Sequence, residues 1–258
     1  MINESIISLY NSNITCTNIS TILNIPVHKI RYILKKENLI KVSAKKNYRK
    51  YTLDENYFND IDTEMKSYLL GFLMADGSID EERNTLRLMC ADQDILKLLQ
   101  TELKTNKPIR FVQNSIKNIK HKDMYDISIC SLKICSDLIK HGIIKRKSYY
   151  SEFPKNLNSN LIHHFIRGYF DGDGCITHSI TFTGNKNFLT SLKDILFLET
   201  GYNPHVYVRF PERNNDIITI AYCKKDEVLT IKNYLYKNAT VYLNRKYEKF
   251  PESRKDSK

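Results

Sequence analysis

The sequence predicts an α+β protein made of two pseudo-symmetric αββαββα repeats and a small all-α N-terminal domain. Three observations carry that prediction. Two apolar, helix-length stretches, Tyr68–Gly77 (YLLGFLMADG) and Phe165–Gly174 (FIRGYFDGDG), both end in Asp-Gly, and their terminal aspartates stand 97 residues apart. Each is followed by period-2 and period-3.6 apolar segments in the same order. Within the first 58 residues, Asn18–Leu39 shows the spacing of three and four that amphipathic helices require. The expected domains are 1–58, a first repeat over 59–150 and a second over 151–258.

In the N-terminal domain, Ile19, Ile22, Leu23, Ile25, Ile30, Ile33 and Leu34 imply two short helices within Asn18–Leu39. Asn24-Ile25-Pro26 interrupts them, because Pro26 cannot continue the first helix but suits the start of the second. This is a helix-turn-helix pattern whose second helix would present His28, Lys29, Arg31, Tyr32 and Lys35. A purely structural helical hairpin is the plainer reading of the same spacing. Lys41–Lys50 follows with five basic and no acidic residues, and its Lys45, Lys46 and Arg49 suit phosphates or a minor groove.

After the first apolar helix, Ser78–Asp80 and Thr85–Ala91 predict a hairpin, and Gln93–Thr105 a helix with Ile95, Leu98, Leu99 and Leu103 on one face. Ile109–Gln113 and Met124–Cys130 predict two strands around the basic stretch 114–123, and Leu132–His141 a helix stopped by Gly142. The second half repeats this order. Strands are expected at Cys175–Thr177 and Ile180–Thr183, with Gly184 in a loop, then a helix over Asn187–Glu199. Strands at His205–Phe210 and Ile217–Tyr222 and a helix from about Asp226 to Tyr236 complete it.

The two apolar helices share a further pattern. Gly71 and Ala75 precede Asp76 at the same spacing at which Gly168 and Gly172 precede Asp173. Residues four apart are neighbours on a helix, so each pair makes a side-chain-poor stripe. Glycine inside a helix costs roughly 1 kcal/mol relative to alanine, which asks for a geometric reason. Packing stripe to stripe supplies one, and it sets Asp76 beside Asp173. Two carboxylates at two helix C-termini repel each other and the helix dipoles unless divalent cations lie between them. An EF-hand reading of Asp171–Gly174 fails, because Ile176 and Phe182 stand where that loop needs Gly and Glu.

These stretches resemble the paired signature helices of the LAGLIDADG homing endonucleases in their single-chain form. Leu69–Gly77 and Ile166–Gly174 occupy the nine motif positions, and the resemblance covers about residues 62–250. Met74 stands where the pattern has its first aspartate, while both second aspartates are present. The resemblance implies a monomeric, Mg²⁺-dependent endonuclease that makes double-strand breaks in a long asymmetric DNA site, leaving short 3′ overhangs. Asp76, Asp173 and the following Gly77 and Gly174 are then the expected metal positions. Basic residues at each strand-to-helix junction are implied beside them; Lys133 and Lys225 are the choices, with Lys224 an alternative register.

In such a saddle each sheet keeps one face for the major groove. The expected contacts are Arg87, Arg110, Gln113, Lys117, Lys120 and Lys122 in the first half. In the second they are Thr181, Thr183, Tyr207, Arg209, Arg213 and Asn215. An RNA maturase acting on intron RNA and a non-catalytic transcriptional regulator are the alternatives; both retained aspartates speak against the second. Without a splicing Cys or Ser at its start or His-Asn at its end, the chain reads as freestanding or intron-encoded.

Composition agrees with a polyanionic partner. Forty Lys and Arg against 29 Asp and Glu give a formal charge of +11 and a pI near 9.2. Six cysteines without C-x-x-C spacing suggest reduced, mostly buried thiols. No signal peptide is visible and Tyr68–Ala75, the longest apolar run, is too short to span a bilayer. A cytoplasmic, organellar or virus-encoded protein without a membrane partner is expected.

Overall fold

The computed structural model describes residues 2–12, 14–37, 39, 50–113, 123–144, 150–208 and 216–251. The chain divides into two compact units, Met1–Lys50 and Tyr51–Lys258.

The small unit holds α1 (Ile2–Asn11), α2 (Cys16–Leu23) and α3 (Val27–Lys36). The Thr15 side chain accepts from Asn18 N–H to start α2, and Asn24 ends it in a left-handed conformation with φ 50°. Pro26 then caps α3. Ile6, Ile19, Ile30 and Leu34 form a separate core, with Ile7, Leu9 and Tyr10 against it. Helix α1 is an addition to the two helices expected from spacing. Only its Ile6 is buried, too weak a stripe to read without its neighbours.

Residues 51–58 depart from the expected boundary. Tyr57 and Phe58 belong to the core of the large unit. Thr52 N–H donates to Asn106 Oδ1 (2.8 Å) and its hydroxyl to Lys104 O (2.7 Å). The first repeat therefore begins at Tyr51.

That repeat contains α4 (Glu64–Asp76), β1 (Gly77–Asp80), β2 (Thr85–Cys90), α5 (Gln93–Glu102), β3 (Arg110–Val112), β4 (Met124–Cys130) and α6 (Leu132–Lys140). The second contains α7 (Ile162–Asp173), β5 (Cys175–Ile176), β6 (Ile180–Asn185), α8 (Lys186–Thr200), β7 (His205–Val208), β8 (Ile217–Tyr222) and α9 (Lys225–Leu235), followed by α10 (Asn244–Tyr247). The sheets run β1-β2-β4-β3 and β5-β6-β8-β7, antiparallel throughout. Alternation sends Leu86, Leu88, Ile127 and Ile129 of one sheet, and Ile180, Phe182, Ile220 and Tyr222 of the other, into one continuous core.

Helices α4 and α7 are its axis. Residues Ser67–Met74 are all buried, as are His163–Asp171, which requires helices enclosed on every side. A Cβ on Gly71 would overlap the Phe165 carbonyl oxygen and lie 2.9 Å from Tyr169 N; one on Gly168 would overlap the Tyr68 carbonyl and lie 2.9 Å from Phe72 N. The clashes are reciprocal, so the expected stripe-to-stripe packing is what the glycines permit. Gly184 differs from expectation: it lies inside β6, and the Tyr169 hydroxyl fills the space of its missing Cβ.

All six cysteines are free, and only Cys90 and Cys135 are buried; Cys130, Cys175 and Cys223 are exposed at strand ends, against the expectation of mostly buried thiols. Among the described residues no helix is long and apolar enough to cross a membrane.

Candidate functional site

The site grows from the shared end of α4 and α7. A Cβ on Gly172 would strike Ala75 Cβ and lie 3.6 Å from Asp76 Cγ, so the last turns of the helices touch. Gly77 and Gly174 follow with almost the same backbone, φ −71° and ψ 157° against φ −72° and ψ 156°. Both lead directly into a strand. Side chains there would crowd the carbonyls of Leu73 (2.7 Å) and Phe170 (2.6 Å), which explains an Asp-Gly ending without any left-handed turn. Asp76 is half-buried and Asp173 exposed.

Tyr169 senses both carboxylates. Burial first, then the charges of Asp173 and Asp76, raises its phenol far above the ordinary value, and its hydroxyl donates to Thr183 O (2.7 Å). The described residues contain no group of three His, Cys, Asp or Glu side chains able to hold a metal.

A lysine outside the sequence-based choices completes the cluster. Lys246 of α10 is 5% exposed and donates to the carbonyls of Phe170 (2.5 Å), Gly172 (3.3 Å) and Gly174 (2.6 Å). It thereby caps the C-terminus of α7, where a cation is favoured. It also occupies the carbonyl of Gly174, a residue that the resemblance counts among the metal positions. Burial pushes its ammonium down to about 8, against the pull of Asp171, Asp76 and Asp173.

The segment bearing Lys246 is strapped to the helix pair. Arg167, fully buried, donates to Val241 O (2.9 Å), Leu235 O (2.8 Å) and Glu64 Oε1 (2.6 Å). Glu64 also accepts from Thr240 N–H (2.7 Å) and its hydroxyl (2.8 Å). Asp171 accepts from Leu243 N–H and the Tyr68 hydroxyl, each at 2.8 Å; burial, offset in part by these bonds, lifts its carboxyl to about 6.

Two of the lysines chosen from sequence, Lys133 and Lys224, have acidic partners on their own helices. Lys133 donates to Asp137 (2.5 Å) and Asn59 (2.7 Å) at the start of α6. Lys224 lies 3.6 Å from Glu227, and Lys225 is exposed at the first position of α9. Their junctions pin helix starts, whereas Lys246 comes from α10 and holds the carbonyls on either side of Asp173. A usable signal existed: aliphatic-x-Arg-Lys occurs at residues 144–147 and again at 243–246, each time after the last helix of its repeat.

Of the expected contact residues, Lys29, Arg31 and Lys35 are exposed on α3. Arg87, Arg110 and Gln113 are exposed on the first sheet or at its edge. On the second, Thr181 and Thr183 are half-buried and Tyr207 is exposed, and with Asp173, Cys175 and Thr219 they line one shallow depression. Lys45, Lys46, Arg49, Lys117, Lys120, Lys122, Arg209, Arg213 and Asn215 lie outside the described residues.

A family model described as a LAGLIDADG-like domain matches residues 160–236, which hold α7 to α9. No curated protein matches the chain. Among solved structures, the homing endonuclease I-WcaI bound to its DNA recognition sequence is 13% identical with a TM-score of 0.51, over 84% of this chain and 98% of that one. I-DmoI in complex with DNA and Mn is 15% identical with a TM-score of 0.46, over 70% of this chain and 98% of that one. Full-length DUF199/WhiA from Thermatoga maritima is 15% identical with a TM-score of 0.47, over 75% of this chain and 62% of that protein. At such identities the likeness is one of fold. The second repeat thus matches a LAGLIDADG-like domain, and the first repeats its motif and strand order.

Proposed function

We propose that the chain is a site-specific, divalent-metal-dependent DNA endonuclease acting as a monomer. The observation that carries this reading is the approach of the Asp76 and Asp173 helix ends, with the buried Lys246 bonded to the carbonyls on either side of Asp173. Asp76 and Asp173 are the residues that would hold the metal. Two carboxylates suit Mg²⁺, which commonly binds one or two together with substrate phosphates and water. When bound, such ions neutralise a scissile phosphate, activate water and stabilise the departing 3′ oxygen. The pseudo-twofold relation of α4 and α7 gives each strand of a duplex one carboxylate. Lys246 offers a fixed positive charge beside them while holding α7 closed. The open faces of the two sheets would lie along the major groove on either side, and the net charge of +11 supports a duplex partner.

In this reading the N-terminal unit contacts DNA beside the cleavage site through Lys29, Arg31 and Lys35 of α3, the second helix of a helix-turn-helix. Lys45, Lys46 and Arg49 extend that contact. The test is selection of a bound duplex from a randomised pool without Mg²⁺, followed by addition of Mg²⁺. A single enriched site cut on both strands is the expected result, with cutting lost in Asp76→Asn and Asp173→Asn. Failure to enrich any sequence, or full cutting by both variants, would overturn the reading.

A further inference from the structure

The first sheet carries a buried charge that no cleavage chemistry requires. Asp126 of β4 lies on the face turned away from the helices, yet it is fully buried. Arginines from the two neighbouring strands cover it. Arg87 of β2 donates Nε to Asp126 Oδ1 (2.5 Å), and Arg110 of β3 donates both Nε (3.0 Å) and Nη2 to Oδ2. The arginine side chains themselves remain 48% and 64% exposed. Burial works to raise the Asp126 carboxyl, but the hydrogen bonds and charges of the two guanidiniums outweigh it and hold the group below the usual carboxylate range.

The two arginines spend their donors differently. Arg110 uses one edge of its fork on the carboxylate. Arg87 uses only Nε; of its terminal nitrogens, one makes a long contact (3.7 Å) to Met89 Sδ. The end of the Arg87 fork is the shape that pairs with O6 and N7 of guanine in the major groove. A free arginine would lose rotamer freedom on making that pair, and a side chain already held by a carboxylate has lost it on folding. Two guanidiniums sharing one buried carboxylate also carry less net charge than two free ones, which suits base readout better than phosphate neutralisation.

We infer that Asp126 is a positioning residue for sequence recognition: it orients Arg87 to read a guanine, with Arg110 beside it, in the half-site gripped by the first sheet. This rests on the DNA-binding reading above. Asp126 itself touches no base.

The experiment uses the full chain and a randomised duplex pool without Mg²⁺. Wild type should enrich a site with an invariant guanine in one half, and 7-deazaguanine at that position should weaken binding by about tenfold. Asp126→Asn should keep the rest of the site while preference at that one position falls to about twofold, and 7-deazaguanine should no longer matter there. Arg87→Met should erase preference at the same position, and it carries the test if Asp126→Asn does not fold. A brace without a recognition role predicts a lower melting temperature for Asp126→Asn with an unchanged sequence profile, and that result would overturn the inference. Equal weakening on every sequence would overturn it too, by making the arginines phosphate contacts. If wild type enriches no sequence at all, the DNA-binding reading fails and the inference with it.

Discussion

The two sheets share strand order and register but present different chemistry on their open faces. Arg87 pairs across to Ser78 as Thr181 does to Cys175, and Asp126 lies between Met89 and Arg110 as Thr219 lies between Thr183 and Tyr207. The central position is buried in both, and it is a carboxylate held by two arginines in one and a threonine bonded to Thr183 (2.9 Å) in the other. At the helix ends the halves agree instead, down to Asp76 and Asp173 and the backbone angles of the glycines after them. A single pseudo-twofold site needs equal partners at its centre; an asymmetric duplex needs unequal ones at its flanks.

The largest effects should appear where the halves agree. Asp76→Asn and Asp173→Asn should each abolish double-strand cleavage, while target affinity stays within about tenfold, or about 1.4 kcal/mol. A gel assay separating nicked from linear DNA sharpens the comparison: nicking of opposite strands by the two variants would tie each carboxylate to one strand. Lys246→Met should slow cleavage by about 10²-fold, the scale for losing one preorganised charge, whereas Lys133→Met should change the rate little. A slow Lys133→Met beside an unaffected Lys246→Met would return the active-site lysine to the strand-to-helix junction.

Gly71→Leu and Gly168→Leu should destabilise by similar amounts, at or above the usual overpacking range of about 1–3 kcal/mol, because each clash falls on backbone. Unequal melting temperatures would show that one helix yields more readily than its mate. Gly184→Leu should also cost stability, since Tyr169 occupies its space.

The flanks predict an asymmetric acid response. Asp126 ionises more readily in the folded chain than in the unfolded one, so its ion pairs contribute stability at neutral pH that is lost as pH falls through and below the usual carboxylate range. Asp126→Asn should flatten the acid limb of the stability curve, read as urea midpoints between pH 6 and about 3. Thr219→Val on the other sheet should leave that limb unchanged.

The smallest effect concerns the N-terminal unit. A chain beginning at Tyr51 keeps both repeats whole and should still cut. Its slope of log K against log salt should become shallower by about 0.9 for each phosphate that the small unit would have neutralised. An unchanged slope and footprint would mean that the small unit serves another purpose.

The sequence alone determined the architecture, because its signals are local and occur twice. Period-2 and period-3.6 segments placed all eight strands of the two sheets, and a glycine at the same step before each Asp-Gly announced two helices in backbone contact. A repeated local pattern is hard to produce by chance. What only the tertiary structure decided lies in contacts between residues far apart in the chain. Lys246 follows Gly174 by 72 residues, in a segment whose periodicity is weak, and its place is set by Arg167, Glu64 and Asp171. Asp126 reads in the sequence as an ordinary polar residue of an alternating strand. Only pairing β2, β4 and β3 in register puts two guanidiniums over it, and a carboxylate acquires a role there from the charges that desolvate and orient it, which no local pattern records.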